Sequence, residues 1–260
     1  HENRRRNPAW QGSFLHPVKN AQVGENRLQI WDEKEQQPDM YGGEMDSQSL
    51  FTFILEMAGT IAFAASGAMV GAQRGMDIFG ICVLGVVTAV GGGATRDIIL
   101  GIVPPGMFQH PIYTIVATVT SCIVFAIMYW KQELLEGENR LVYDKIMLVM
   151  DSVGLGVFTV MGVDKGITEG YMGRTFFLVF LGTVTGVGGG LIRDMMAGVP
   201  PYIFVRHIYA CASIVGAIVY VWIYRLWGSV PAMVIGTVVV ILIRYLAAHY
   251  RWNLPRLRRE

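Results

Sequence analysis

Charge is scarce in this 260-residue chain. Asp, Glu, Lys and Arg make up 16% of it, against roughly a quarter in an ordinary soluble domain. The formal net charge is only +1, which leaves no basic surface for a nucleic-acid partner. Cysteine is nearly absent: Cys82, Cys122 and Cys211 all lie inside apolar runs and show no metal-ligand spacing. A zinc site and a disulfide framework are therefore excluded, and buried thiols are expected. No nucleophile–base pair and no phosphate-binding loop occurs, so the chain does not read as an enzyme and implies no cofactor or metal. No apolar segment follows the basic start Arg4-Arg5-Arg6, so that start is not a secretion signal.

What is present in quantity is apolar surface. Hydrophobic residues form 53% of the chain and the mean hydropathy is +0.42, values of an integral membrane protein. The 31 glycines fit, because glycine is commoner in membrane helices than in soluble ones. From Leu50 onward seven runs are long enough to cross about 30 Å of hydrocarbon. They are Leu50 to Val70, Ile78 to Val103, Ile112 to Trp130, Asp144 to Val163, Thr175 to Val199, Tyr202 to Tyr224 and Pro231 to Ala248. Tyr129, Trp130, Trp222, Tyr224, Trp227 and Trp252 fall near their ends, as an interfacial aromatic belt does.

Residues 1–46 are polar, and we expect a disordered tail there. Met45-Asp46-Ser47 would be a natural start for a compact membrane protein. Removal of residues 1–44 is therefore expected to leave assembly and flux unchanged, which size-exclusion chromatography and flux into liposomes would check. One set of loops and the C-terminal tail carry Arg74, Lys131, Arg140, Lys145, Arg206, Arg251, Arg256, Arg258 and Arg259; the opposite loops carry only Lys165, Arg174 and Arg225. The excess places the C-terminus in the cytoplasm and the N-terminus outside a cytoplasmic membrane.

One phrase occurs twice. Gly91-Gly92-Gly93-Ala94-Thr95-Arg96-Asp97 leads to Gly101, and Gly188-Gly189-Gly190-Leu191-Ile192-Arg193-Asp194 leads to Gly198. Each glycine weakens a helix by roughly 1 kcal/mol relative to alanine, and an intramembrane charge costs a few kcal/mol more. The likeness extends further: Glu56-Met57-Ala58-Gly59 aligns with Asp151-Ser152-Val153-Gly154, Gly67 with Gly162, and Val103-Pro104-Pro105 with Val199-Pro200-Pro201. Three spans form one unit used twice, 47–135 and 141–227, followed by a seventh helix at 228–250 and a basic tail at 251–260. An odd number of spans per unit inverts the second copy. The fold class expected is an all-α membrane protein, a 3+3 inverted repeat plus one helix, with the second and fifth helices broken at their triple glycines.

A break would expose carbonyls suited to a cation and half-helix N-termini suited to an anionic group. The alternative is that the glycines only permit tight helix packing. With these residues the chain resembles the prokaryotic trimeric intracellular cation (TRIC) channels, also catalogued as a glycine transporter domain, UPF0126. The resemblance covers residues 49–250 and rests on the doubled motif. It implies a homotrimer in membrane lipid, each protomer holding a pore for monovalent cations, chiefly potassium, with sodium also a candidate. It points to Gly91, Gly92, Gly93, Gly188, Gly189 and Gly190 at that pore. The lysine- and arginine-rich lipid-binding stretch of animal members has no counterpart here.

Hydroxyls of Thr88, Thr95, Thr185 and Ser66 are the side chains expected to join backbone carbonyls along the path. Adjacent residues on a helix face different ways, so Arg96-Asp97 and Arg193-Asp194 are not expected to satisfy themselves. Two arrangements remain open: cross-pairing of Arg96 with Asp194 and of Arg193 with Asp97, or pairing with Glu56 and Asp151. A gate role for the arginines stays open beside ion pairing, as does cation attraction or proton carriage by Glu56 and Asp151. Arg244, near the end of the last run, is expected to snorkel to the surface. Asp164 and Lys165 are expected to be solvated at a helix end. A secondary transporter of glycine or another small amino acid uses the same features and remains the alternative to a channel.

Overall fold

The computed structural model describes residues 47–131, 140–205, 208–250 and 252. The tail at 1–46, Arg206, Arg251 and the basic tail at 253–260 lie outside the described residues. Among the described residues nine α-helices follow in order: α1 Ser47–Gln73, α2 Ile78–Leu100, α3 Gly106–Gln109, α4 Ile112–Trp130, α5 Arg140–Gly166, α6 Thr175–Met196, α7 Tyr202–Val205, α8 Tyr209–Trp227 and α9 Ser229–His249. A π-helical turn, Ile167–Tyr171, extends α5. Seven of these helices are long and apolar enough to cross a membrane, and the described residues contain no strand.

In each repeat the three long helices pack on one another: α1, α2 and α4 in the first, α5, α6 and α8 in the second. The repeats meet through α2 against α6 and α1 against α5, and α9 packs on α5 and α8. Phe63 of α1 and Phe158 of α5 stack at the join with centroids 5.3 Å apart. A side chain at Gly154 would collide with the Phe63 ring, and one at Gly59 would come within 3.3 Å of Phe158.

Both phrases end in the same way. Gly101 (φ 73°) and Gly198 (φ 64°) take the left-handed conformation that closes a helix at little cost only for glycine. The Ile102 N–H then donates back to the Asp97 carbonyl at 2.8 Å, and the Val199 N–H to the Asp194 carbonyl at 3.0 Å. Each closure turns the following Val-Pro-Pro back toward its own helix, so that short α3 and α7 start beside the phrase that precedes them. At the other end of α2 the Asp77 carboxylate accepts from the Gly80 N–H at 2.7 Å, an N-cap.

The helices differ from expectation in two places that matter. α2 and α6 run unbroken through their triple glycines. In hydrocarbon a freed N–H or carbonyl has no water to bond, so the helix that glycine would weaken in water is retained. α5 also continues past the expected end at Val163, which puts Asp164 within the helix. There its carboxylate accepts from Tyr220 at 2.5 Å and from Ser229 at 2.9 Å, tying α5 to α8 and α9 instead of facing solvent. Lys165 does reach outward, pairing with Glu169 at 3.0 Å.

The thiols are not buried. Cys122 and Cys211 are exposed and Cys82 is half-buried, with Cys82 and Cys122 sulfurs 3.5 Å apart. A thiol is apolar enough to face lipid, so an apolar run does not by itself direct it inward.

Candidate functional site

The triple glycines are where the two repeats touch. A methyl group on Gly92 would overlap the Thr185 carbonyl oxygen, and one on Gly189 would overlap the Thr88 carbonyl oxygen. The reciprocity of these contacts, Gly92 with Thr185 and Gly189 with Thr88, makes α2 and α6 antiparallel about a local two-fold. Gly188 faces the crossing too, its missing side chain 3.2 Å from the Gly92 Cα. The outer glycines are less alike. Among the described residues only Arg96 Nη2, at 3.9 Å, lies near the space beside Gly93, whereas the equivalent space at Gly190 holds the Tyr209 hydroxyl at 2.7 Å. Gly91 faces Ile192 at 3.0 Å.

Thr88 and Thr185 flank the crossing and are fully buried. Each hydroxyl donates at 2.6 Å to a carbonyl one turn back in its own helix, Leu84 and Leu181. Each also fills the hollow left by a glycine of the neighbouring helix, Gly67 and Gly162. Thr95, half-buried, donates likewise to the Gly91 carbonyl at 2.8 Å.

Four residues beyond the central glycines, about 6 Å along each axis, stand the arginines. The two charge clusters therefore lie on opposite sides of the crossing. Arg96 Nε donates to Asp97 Oδ1 at 2.9 Å and Arg193 Nε donates to Asp194 Oδ1 at 2.8 Å. The other carboxylate oxygen accepts a backbone N–H at 2.8 Å in each case, from Gly106 at the start of α3 and from Tyr202 at the start of α7. Cross-pairing between repeats is thus overturned, and so is the expectation that adjacent Arg and Asp cannot satisfy each other. The arginine stem is long enough to fold back on its neighbour, and the returning Val-Pro-Pro segment supplies the carboxylate's second partner.

The second cluster is dry and crowded. Arg193, with no exposed surface, also donates through Nη1 to Asp151 Oδ1 at 2.7 Å and to Ser66 Oγ at 2.5 Å. Asp151 is equally buried. The ion pair expected between Arg193 and the helix acid is therefore present here, and its counterpart is not: in the first cluster Glu56 accepts from the Tyr113 hydroxyl, and no arginine or lysine among the described residues is within ion-pair distance of it. The first cluster is also more open, with 12% of the Arg96 side chain exposed.

Arg244 departs from expectation. It does not snorkel; it is 3% exposed, lies over the Tyr209 ring at 4.7 Å and brings Nη2 to 3.5 Å from Asp151 Oδ2. The Cα–Cβ bonds of a helix tilt toward its N-terminus, which on α9 carries this side chain away from the nearer helix end, while its place on the helix face turns it to Tyr209 and Asp151. Asp151 Oδ2, Arg193 Nη2 and Arg244 Nε and Nη2 have no hydrogen-bond partner among the described residues. The available signal is that Arg244 belongs to the unrepeated helix and faces the same way as small Thr237 and Gly236, both about two turns earlier.

These features can be set beside known proteins. The model of the glycine transporter family matches residues 53–129 and 148–225, one stretch in each repeat. The inner membrane protein YadS of Escherichia coli (strain K12), a UPF0126 protein, is 39% identical over 210 residues, covering 79% of this chain and 96% of YadS. A solved TRIC cation channel is 31% identical with a TM-score of 0.68, covering 80% of this chain and 98% of that one. The TRIC trimeric intracellular cation channel orthologue from Rhodobacter sphaeroides is 28% identical with a TM-score of 0.69, covering 77% and 98%. The chain belongs to the UPF0126 family of membrane proteins, the glycine transporter family of the matching model, and shares the fold of the prokaryotic TRIC channels.

Proposed function

We propose that the protein is a cation channel of the cytoplasmic membrane, conducting monovalent cations, chiefly potassium, through a path within each protomer of a homotrimer. The observation that carries the reading is the fold, matched over four-fifths of the chain by a solved TRIC cation channel. The path follows the α2–α6 crossing, with one charge cluster on either side of it. On the first-repeat side the hollow beside Gly93, the Thr95 hydroxyl and the half-buried Glu56 carboxylate offer oxygen to a partly dehydrated cation. The basic loops give the C-terminus to the cytoplasm and the N-terminus to the outside.

A second reading has its own observation. Two arginines and an acid with unpartnered atoms in one buried place, Arg193, Arg244 and Asp151, are the complement of an amino-acid zwitterion. The guanidinium groups would take the carboxylate and Asp151 the ammonium, which fits a transporter of glycine. Purified protein in planar bilayers under a potassium gradient separates the two. Discrete unitary currents reversing toward the potassium equilibrium potential are expected. Silent bilayers together with saturable, competable glycine uptake into liposomes would replace the channel by the transporter.

A further inference from the structure

The helix outside the repeat breaks its symmetry at one place. By sequence Glu56 and Asp151 are equivalent acids, one turn-for-turn match between α1 and α5. Their surroundings are not equivalent. Asp151 shares the interior with two arginines, Arg193 at 2.7 Å and Arg244 at 3.5 Å. Glu56 has the Tyr113 hydroxyl and no cation among the described residues. In formal charge the second cluster, Asp151 and Asp194 against Arg193 and Arg244, is neutral. In the first repeat Arg96 balances Asp97, and Glu56 has no balancing cation among the described residues. Space follows the same division, since the hollow beside Gly93 is open and the one beside Gly190 is filled by Tyr209, on whose ring Arg244 rests.

The contact between Arg244 and Asp151 is also an unusual one for a purely structural pair. At 3.5 Å it lacks hydrogen-bond geometry, and Nε and Nη2 of Arg244 and Oδ2 of Asp151 have no hydrogen-bond partner among the described residues. Arg193, one helix away, already satisfies the other oxygen of Asp151 and fixes its position. What Arg244 adds is charge.

We propose that Arg244 sets the electrostatic barrier of the second-repeat half of the path: its guanidinium cancels the Asp151 charge, so that cations concentrate at the Glu56 half and meet a neutral half beyond the crossing. This rests on the channel reading and deepens it, naming the residue that makes conduction unequal in the two directions. An acid-lined half raises the local cation concentration and a neutral one does not. A path with one of each passes current more readily one way than the other.

The experiment is single-channel recording from reconstituted trimers in symmetrical potassium chloride. The wild type is expected to rectify. Arg244→Gln, which leaves an excess acid in both halves, is expected to raise unitary conductance several-fold and make the current–voltage relation nearly linear. Arg244→Lys keeps the charge and is expected to rectify as the wild type does, which a role in shape alone would not produce. Glu56→Gln leaves both halves neutral and is expected to be linear at reduced conductance, and it decides the matter if Arg244→Gln does not assemble. A silent wild type would remove the channel reading and this inference with it. Unitary currents that are linear in the wild type, or that rectify unchanged in Arg244→Gln or in Glu56→Gln, would overturn the inference alone.

Discussion

Alanine at Gly92 or at Gly189 is expected to abolish the folded protein, while alanine at Gly93, the next residue along, is expected to leave it intact. The obstacle at the first two positions is backbone: the Thr185 carbonyl oxygen for Gly92 and the Thr88 carbonyl oxygen for Gly189. A side chain can rotate away from an intruding methyl group, but a carbonyl inside a helix cannot. The helices would have to part along their crossing, where the Gly189 N lies 3.3 Å from the added atom at Gly92 and the Phe63 ring 3.2 Å from the added atom at Gly189. Overpacking of this kind costs about 1–3 kcal/mol in cores that can relax, and more where backbone must move. Close approach through small residues is also what holds membrane helices together. At Gly93 nothing but an arginine tip at 3.9 Å stands near, and the helix gains up to about 1 kcal/mol from alanine. Size-exclusion profiles and thermal melts in detergent check this. A Gly92→Ala protein that elutes and melts as the wild type would mean the crossing is looser than described.

The same contrast shows what the sequence made legible. Seven spans and the inverted repeat follow from apolar length and from a motif written twice, and both are carried by residues that need no partner to be read. The cost of a glycine to a helix is a cost in water. In a bilayer that cost is outweighed by the backbone bonds a break would forfeit, so α2 and α6 continue and the glycines serve contact. Nothing local distinguishes Gly92 from Gly93. The difference lies in α6, about a hundred residues away in the chain.

The charges were harder for a related reason. That Arg96 and Arg193 need acids is plain from burial cost, but which acids depends on where the chain returns. Gly101 and Gly198 turn each Val-Pro-Pro back over its own phrase, and only then do Asp97 and Asp194 find a backbone N–H for their second oxygen. Distance to the helix end does not decide where Arg244 points. The tilt of its Cα–Cβ bond and the position of Asp151 decide its direction instead. Pseudo-symmetry also misleads here, because α9 has no repeat partner and touches only the second unit's acid.

Arg193→Met is expected to be far more damaging than Arg96→Met, although the two arginines occupy the same place in the repeated phrase. Arg193 holds Asp194 through Nε and both Asp151 and Ser66 through Nη1, all without exposure. Its removal leaves two buried carboxylates, with Arg244 as the nearest cation and no hydrogen bond from it. Breaking a buried pair in this way costs about 3–5 kcal/mol, a large share of what holds a domain of this kind together. Arg96 faces one acid, which keeps the Gly106 N–H, and its own side chain is partly exposed. Its loss is expected to cost less than that of Arg193, because it strands one buried carboxylate and that one keeps its backbone partner. Arg193→Met/Asp151→Leu removes one of the stranded charges together with its partner, and is expected to recover part of the loss, since exchanging a buried pair for apolar residues is often close to neutral. Recovery remains partial because Asp194 and Arg244 are both left behind. Yield of folded protein and melting temperature of the three variants decide it: equal losses for Arg193→Met and Arg96→Met would mean that the second cluster is no more dependent on its arginine than the first, and that the burial separating them does not set their strength.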